Sequence, residues 1–505
     1  MHRIFLSCLW AIAMGLAFGQ GEPRIDWIYT YGGAGDQIPQ ALSRTPDGAL
    51  VMAGSVIHPT PSGSATVKVG MDGRVWFERV DRPNDRNYLK ASNQCVDAEG
   101  YIYVVAETGG IGQPTYSTTL KIAPDGSLVW AHQMHPVNVE HLTPRSVAVG
   151  SDGRVFVCGA EIRDRDGANS FALYCLDSSG RLLWQDFLNE FAPSTDARSV
   201  FVNRDGTAIV VRGSISNGVS SNLEPLGRDS YIRKYSSTGS HVWTRRFSAI
   251  RQDGERYLSL YRGEWLGTGT LLLVGANTVR GGDGWMESLA YVLGLDHQGD
   301  IAMSHLLEHE TNVSHYRDIA VSDGSVFCGG ATGRRSSYHQ GLMVKFDSEL
   351  RPIWQALSNP NATRSAGFTN VAVDPFGSSY AAGIVDQNWG DIFCSRFSSA
   401  GSVQWTFVYD GPGSNSDGTK GLVVDEEGGV YIGGHAANRT NADFVLIKLR
   451  QCMADANGDG RTDSLDLEIV LERFGLEGPT GDLNGDGIVD DADLALALYF
   501  YGAEC

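Results

Sequence analysis

Asp455, Asn457, Asp459, Asp463 and Asp466 occupy positions 1, 3, 5, 9 and 12 of one twelve-residue segment, and Asp482, Asn484, Asp486, Asp490 and Asp493 occupy the same positions of a second. Position 6 is glycine in both, Gly460 and Gly487. Oxygen donors at this spacing suit a hard divalent cation of calcium's size, which takes roughly six to eight oxygens around a sharp turn, one of them the backbone carbonyl of position 7. Here that carbonyl belongs to Arg461 and Ile488. Two Ca²⁺ ions, one per loop, are therefore expected. The carboxylates of each loop would repel one another in an empty site, so folding and metal binding should be coupled. The bland alternative is an acidic, glycine-rich disordered tail. Two matches in register, each followed by an apolar segment, weigh against it.

The apolar segments behind the loops have helical spacing. Leu465, Leu467, Ile469, Val470, Leu471 and Phe474 predict one helix ending at Gly475, and Leu494, Leu496, Leu498 and Phe500 predict a second ending at Gly502. Position 12 is Asp where the common EF-hand has Glu, and each loop is followed by one helix instead of lying between two. This layout, from Cys452 to Cys505, resembles a type I dockerin domain. The resemblance implies a small all-α module, spanning 452–505, that attaches the chain to a cohesin-like or cell-surface protein. The partner contacts of that family lie at loop positions 10 and 11, often a Ser/Thr pair in both copies. Here they read Ser464-Leu465 and Asp491-Ala492, so the duplicated recognition surface is missing. A disulfide between Cys452 and Cys505 would clasp the two ends of the module and contribute roughly 4 kcal/mol in the chain-entropy treatment. Two unpaired thiols are the other reading.

At the opposite end, Met1-His2-Arg3 precedes an apolar run from Ile4 to Phe18, and small residues stand at Ala17 and Gly19. This pattern predicts a secretory signal peptide over 1–19, and hence a secreted, cell-surface or periplasmic protein with no membrane span. Weak extracellular calcium sites would be filled there. The formal net charge of −19 argues against nucleic acid or an anionic membrane as partner.

Between residues 25 and 450 the sequence repeats with a period of about 50 to 60 residues. One series consists of Trp27, Trp76, Trp130, Trp184, Trp243, Met303, Trp354 and Trp405, most of them preceded by a glycine turn. A second series consists of paired apolar strands around Gly48, Gly100, Gly153, Gly206, Gly267, Gly324, Gly377 and Gly428. The two are offset by one, because Trp27 precedes the first strand pair and the last pair has no Trp after it. A ring in which the N-terminal strand completes the final repeat explains the offset, and a solenoid does not. The predicted fold is thus all-β, an eight-bladed β-propeller of four-stranded blades closed by its N-terminal strand, with strands of about four to seven residues, followed by the small all-α double calcium-loop domain. The unit resembles secreted bacterial SBBP-type repeats, in which a stretch such as Gly32-Gly33-Ala34-Gly35-Asp36 follows the aromatic strand. The tryptophans read as packing between blades. Lys68, Lys121, Lys234, Lys345, Arg396 and Lys448 share one repeat position, which argues for a structural or solvated role.

The tight turns all fall on one face of such a propeller, so the longer connections form the plausible binding rim. His132, His135, Glu140 and His141 on that rim match no metal site of known spacing. Tyr116, Trp285, Tyr338 and Trp389 are candidate platforms for carbohydrate, although packing at the starts of third strands is the favoured reading for several of them. No nucleophile elbow, zinc-protease helix or phosphate loop is present. Asp177 to Trp184 looks like the Trp-docking repeat of quinoprotein dehydrogenases, yet other repeats keep only its Gly and Trp. A pair of carboxylates suited to glycoside cleavage has no sequence signature. The favoured expectation is a non-catalytic binding platform, and the alternative is a dockerin-bearing carbohydrate-active enzyme, a glycoside hydrolase or lyase. Cys95, Cys158, Cys175, Cys328 and Cys394 are expected as buried free thiols.

Overall fold

The computed structural model describes residues 22–504 apart from 58–60, 84–86, 111, 136–138, 140, 163–168, 189–193, 204–205, 207, 217–226, 249–255, 268, 281–285, 308–312, 335–336, 362, 386–389, 414–415 and 439. The chain divides into two compact units, Pro23–Arg450 and one containing Gln451–Cys505. The expected signal peptide lies outside the described residues, and no helix among them is long and apolar enough to cross a membrane.

Among the described residues, the larger unit holds thirty-two strands. They begin with β1 (Arg24–Tyr31), β2 (Asp36–Arg44), β3 (Ala49–Ile57), β4 (Gly63–Gly70) and β5 (Val75–Asp81). Strands β2 to β5 form an antiparallel sheet in chain order, and the same four-strand run recurs along the unit. Five sheets are four-stranded; the sixth is twelve-stranded because three runs touch through short parallel contacts at Gly227–Arg256 and Ser288–Val313. Strands span six to eleven residues, longer than their apolar cores suggest. Strand β1 pairs with Ala442–Arg450, at the far end of the unit, and completes the sheet of its last three strands. The first strand of each run packs on the first strands of its neighbours, from β2 around to Gly418–Val424 and back to β2. Four-stranded antiparallel sheets closed in this way are the architecture of a β-propeller.

Burial follows from that arrangement. Strands β3 and β4 are buried almost throughout because neighbouring sheets cover both faces, so they read as continuous apolar runs, whereas no residue of the outer β5 is fully covered. The buried clusters lie between successive sheets. One joins Leu50, Met52 and Val67 to Tyr431, Phe444 and Leu446, so the first and last sheets share a core.

The outer-strand tryptophans lie flat against a turn glycine of the following run. A Cβ on Gly180, whose φ is +85°, would sit 2.7 Å from the Trp130 ring, and the Trp130 indole N–H donates to the Ser178 carbonyl at 3.0 Å. In the first run Phe77 takes this place, against Gly126, and not Trp76 as its spacing suggests. The register there pairs Lys68 with Phe77 and Val69 with Val75, so Trp76 is the bulged residue and is 49% exposed. A second correction concerns Gly267, since the turn is made by Gly269, at φ +85°. Three of the six repeated cations, Lys68, Lys121 and Arg396, are buried, and Lys234, Lys345 and Lys448 are partly exposed. Lys68 is fully buried and Arg396 nearly so, while Lys121 lies 4.2 Å from the Tyr101 ring centre.

In the smaller unit, α1 (Ser464–Arg473) and α2 (Asp491–Tyr499) pack together. Each begins with a reciprocal capping box, Asp463 with Asp466 and Asp490 with Asp493. Backbone bonds cross between the halves reciprocally: Thr462 of the first loop pairs with Gly502 and Ala503 beyond α2, and Val489 of the second pairs with Gly475 and Leu476 beyond α1. The core here is small, Val470, Leu483, Val489, Leu496 and Ala497, and Leu465, Leu471, Phe474 and Leu498 remain exposed although their spacing suggested burial. Cys452 is disulfide-bonded. Cys505, its expected partner, lies outside the described residues.

Candidate functional site

The two loops are built alike, bond for bond. Asp455 accepts from the amides of Gly458, Asp459 and Gly460 at 2.7, 3.1 and 2.8 Å, and Asp482 accepts from Gly485, Asp486 and Gly487 at 2.8, 3.1 and 2.9 Å. Asn457 and Asn484 each accept from the amide two residues on and donate to the Asp459 and Asp486 carboxylates. At the far end, Asp466 receives the amides of Ala456, Asn457 and Asp463, and Asp493 receives those of Leu483, Asn484 and Asp490. Asp463 and Asp490 cap the helices. At position 7 the Arg461 side chain pairs with Glu504 at 3.1 Å, and Ile488 is half exposed.

The last carboxylate of each loop, Asp466 and Asp493, is fully buried, and Asp455 is 4% exposed. Burial pushes the Asp482 carboxyl above its ordinary value; the Gly487 amide opposes this and the charge of Asp493 adds to it. Asp493 is likewise raised by burial first, against three backbone amides, with the charge of Asp486 reinforcing the rise. Each loop thus gathers carboxylate oxygens, a donor type that hard cations take, and holds them with backbone amides. In neither loop, among the described residues, do three carboxylates bring one oxygen each within 4.8 Å of one another.

That closer grouping occurs in the propeller, at Asp391, Asp410 and Asp417, which sequence reasoning missed. Asp417 accepts from the Ala437 and Gly411 amides at 2.8 and 2.6 Å. Burial raises its pKa despite those bonds, and Asp391 and Asp410 raise it further. The three come from separate strand ends with no common motif, so only the fold unites them.

The rim histidines are not gathered into a metal site among the described residues. His132 is held low by burial, the His135 ring lies tilted against Tyr116 with ring centres 4.1 Å apart, and His141 contacts the Thr115 hydroxyl at 3.3 Å. Tyr338 is 55% exposed. Glu140, Trp285 and Trp389 lie outside the described residues. All five propeller cysteines are free, four of them buried, and burial pushes the Cys175 thiol up to about 12.

No family model matches the chain, and no curated protein matches it. Among solved structures it is similar to Sqt1 of Chaetomium thermophilum, at 13% identity and a TM-score of 0.47, covering 85% of this chain and 98% of that one. The β-propeller domain of the Trilobed protease from Pyrococcus furiosus is similar at 10% identity and 0.40, covering 72% and 97%. The WD40 domain of SCAP from fission yeast is similar at 9% and 0.42, covering 83% and 97%. No activity transfers at such distances, and the propeller architecture rests on the strand pairing.

Proposed function

We propose that this chain is an exported, non-catalytic binding platform, an eight-bladed propeller joined to a dockerin-like attachment module that folds around two calcium ions. The observation that carries the reading is the duplicated loop, with its buried Asp466 and Asp493 and its reciprocal backbone pairing. Asp455, Asn457, Asp459, Asp463 and Asp466, with the Arg461 carbonyl, would hold one ion; Asp482, Asn484, Asp486, Asp490 and Asp493, with the Ile488 carbonyl, would hold the other. The ion supplies the positive charge that offsets carboxylate repulsion. The chain's own part is to hold both carboxylate oxygens of Asp455, Asp466, Asp482 and Asp493 on backbone amides, which fixes their orientation around each loop. Leu465, Leu471, Leu498, Tyr499 and Tyr501 stay exposed on this small unit, and an exposed apolar surface of this kind suits a cohesin-like or cell-surface protein partner. A propeller without a catalytic signature fits a binding role, with carbohydrate on its rim as one candidate ligand.

Titration calorimetry on the whole chain tests the metal. Two saturable calcium sites are expected at micromolar to millimolar levels, with Asp455→Ala and Asp482→Ala each removing one. Absence of calcium heat at millimolar concentration would overturn the module's assignment. Amino-terminal sequencing of protein recovered from the medium tests export, and polysaccharide turnover abolished by mutating one rim carboxylate would replace the platform reading with an enzyme.

A further inference from the structure

In every four-strand run the first strand carries one extra residue. The register with the second strand slips at Gln40, Ser92, Arg145, Arg198, Tyr261, Arg317, Thr369 and Lys420. None of these eight is acidic and four are Arg or Lys, in a chain of net charge −19. Since the first strands form the inner ring, the bulges gather positive charge around the propeller axis. Arg262 bears on Lys420 from three runs away, as two groups facing a common axis would.

One residue beside this ring breaks the repeat. Opposite the residue that follows each bulge, seven runs place a small or apolar side chain in the second strand: Ala53, Val105, Cys158, Val274, Gly329, Ala382 and Gly433. The remaining run places Arg212 there, opposite Ser199. Its side chain is 6% exposed. One terminal nitrogen donates to the Leu260 carbonyl and the other to the Ser199 hydroxyl at 3.1 Å, while Nε has no partner. No ion pair reaches Arg212 among the described residues, because the nearby Asp196 is engaged by Arg198 at 2.9 Å and by the Ser214 hydroxyl at 2.5 Å. Burial and then the charge of Arg198 bring Arg212 down to about 10, so it is still a cation at neutral pH. A buried cation without a counter-ion is costly, and a packing role would have been met by the valine or alanine used elsewhere.

Arg212 borders a cavity of about 310 Å³, with Arg198, Ser230, Ser259, Leu258 and Tyr261 around it. The Ser259 and Tyr261 hydroxyls have no hydrogen-bond partner among the described residues, and Arg317 covers one face of the Tyr261 ring at 4.3 Å. We propose that this cavity is an oxyanion site, in which a carboxylate, sulfate or phosphate group on a small molecule seats between Arg212 and Arg198 and takes further hydrogen bonds from Ser259 and Tyr261. Guanidinium groups suit such planar or tetrahedral anions through charge-assisted bonds, and the volume admits about a monosaccharide-sized ligand. The assignment rests on the propeller pairing alone and is independent of the calcium module.

Calorimetry on the full chain, at ionic strength fixed with chloride, tests it with three probes: sodium sulfate, inorganic phosphate and galacturonate. Saturable binding of at least one is expected, and the preferred probe identifies the anionic group. Arg212→Met keeps the side-chain volume and should weaken that binding by roughly tenfold or more, the scale of one charge-assisted bond. Arg198→Gln, at a side chain 41% exposed, covers the case in which the first variant does not fold, and should weaken binding to a similar degree. No saturable binding of any probe, or unchanged affinity in a folded variant of either arginine, overturns the proposal.

Discussion

Lys68 shows how a repeated side chain becomes structural. Its ammonium, wholly buried, meets the Asp47 carboxylate at 2.6 Å, the Pro124 carbonyl at 3.1 Å and the Trp76 ring at 4.5 Å. Burial opposes ionisation of Asp47, but the hydrogen bonds from Lys68 and Thr45 outweigh it and hold the carboxyl below its ordinary value of 3.8. A carboxyl depressed in the folded state stabilises above its unfolded pKa, and that contribution is lost as pH falls through the folded one. Lys68→Met should therefore cost about 1 to 3 kcal/mol near pH 7, a moderate figure because Asp47 is 40% exposed and can be resolvated. Part of the difference in urea midpoint from the parent chain should vanish as the pH is taken below 3.8; a gap independent of pH would mean that the ion pair contributes nothing. The shared position of the six cations was legible in the sequence, but the burial of Lys68, Lys121 and Arg396 was not. The partners of Lys68 lie 21 and 56 residues away: strand pairing within its own run brings Asp47, and the packing of the neighbouring run brings Pro124. Asp391, Asp410 and Asp417 escaped notice for the same reason, and so did Arg212, whose oddity appears only once bulges set the register.

At the scale of the turn and the outer strand, the informative case is the run that breaks the tryptophan rule. Met303 stands where most other runs have Trp, and the following run's turn carries Leu350 at φ +58° where those runs have glycine. The two changes compensate. Without the large ring the space beside the turn needs filling, and Leu350, 3% exposed, fills it as part of the cluster Met303 packs on, despite the left-handed backbone. Leu350→Gly relieves roughly 1 kcal/mol of backbone strain but removes a buried side chain worth more, so a net loss of about 1 to 3 kcal/mol is expected. Adding Met303→Trp restores the ring-on-glycine arrangement and should recover at least about 1 kcal/mol, read as coupling in a double-mutant cycle by chemical denaturation. Strict additivity would show that the two positions do not share that space. Sequence spacing identified Met303 correctly and misplaced Trp76, because Val75-Trp76-Phe77 offers two adjacent aromatics and only the strand bulge decides which one meets the next run.

For the molecule as a whole, the one-residue-series offset made ring closure legible: a Trp before the first strand pair and none after the last can be reconciled only if the ends meet. Strand β1 does pair with Ala442–Arg450, from Arg24 opposite Arg450 to Tyr31 opposite Phe444. Its side chains also tie that sheet to the next. The Tyr29 hydroxyl donates to Glu78 at 2.7 Å and the Trp27 indole to the Met71 carbonyl at 3.2 Å, while Asp26 meets Lys448 at 3.0 Å within the sheet. A chain lacking residues 22–31 would leave Ala442–Arg450 as an open edge of unpaired amides and carbonyls beside an exposed part of the core holding Tyr431 and Phe444. Loss of one strand's pairing and burial, on the order of several kcal/mol, should lower the melting temperature by roughly 10 °C, and the open edge should make the truncated chain associate in sedimentation velocity. A synthetic peptide spanning residues 22–31 should reverse both effects, because the missing strand can be supplied from outside through the same register. A truncated chain that stays monomeric and melts with the parent would mean that contacts between the inner strands hold the ring by themselves. Closure through a strand pair would then be an accessory to the fold and not its clasp.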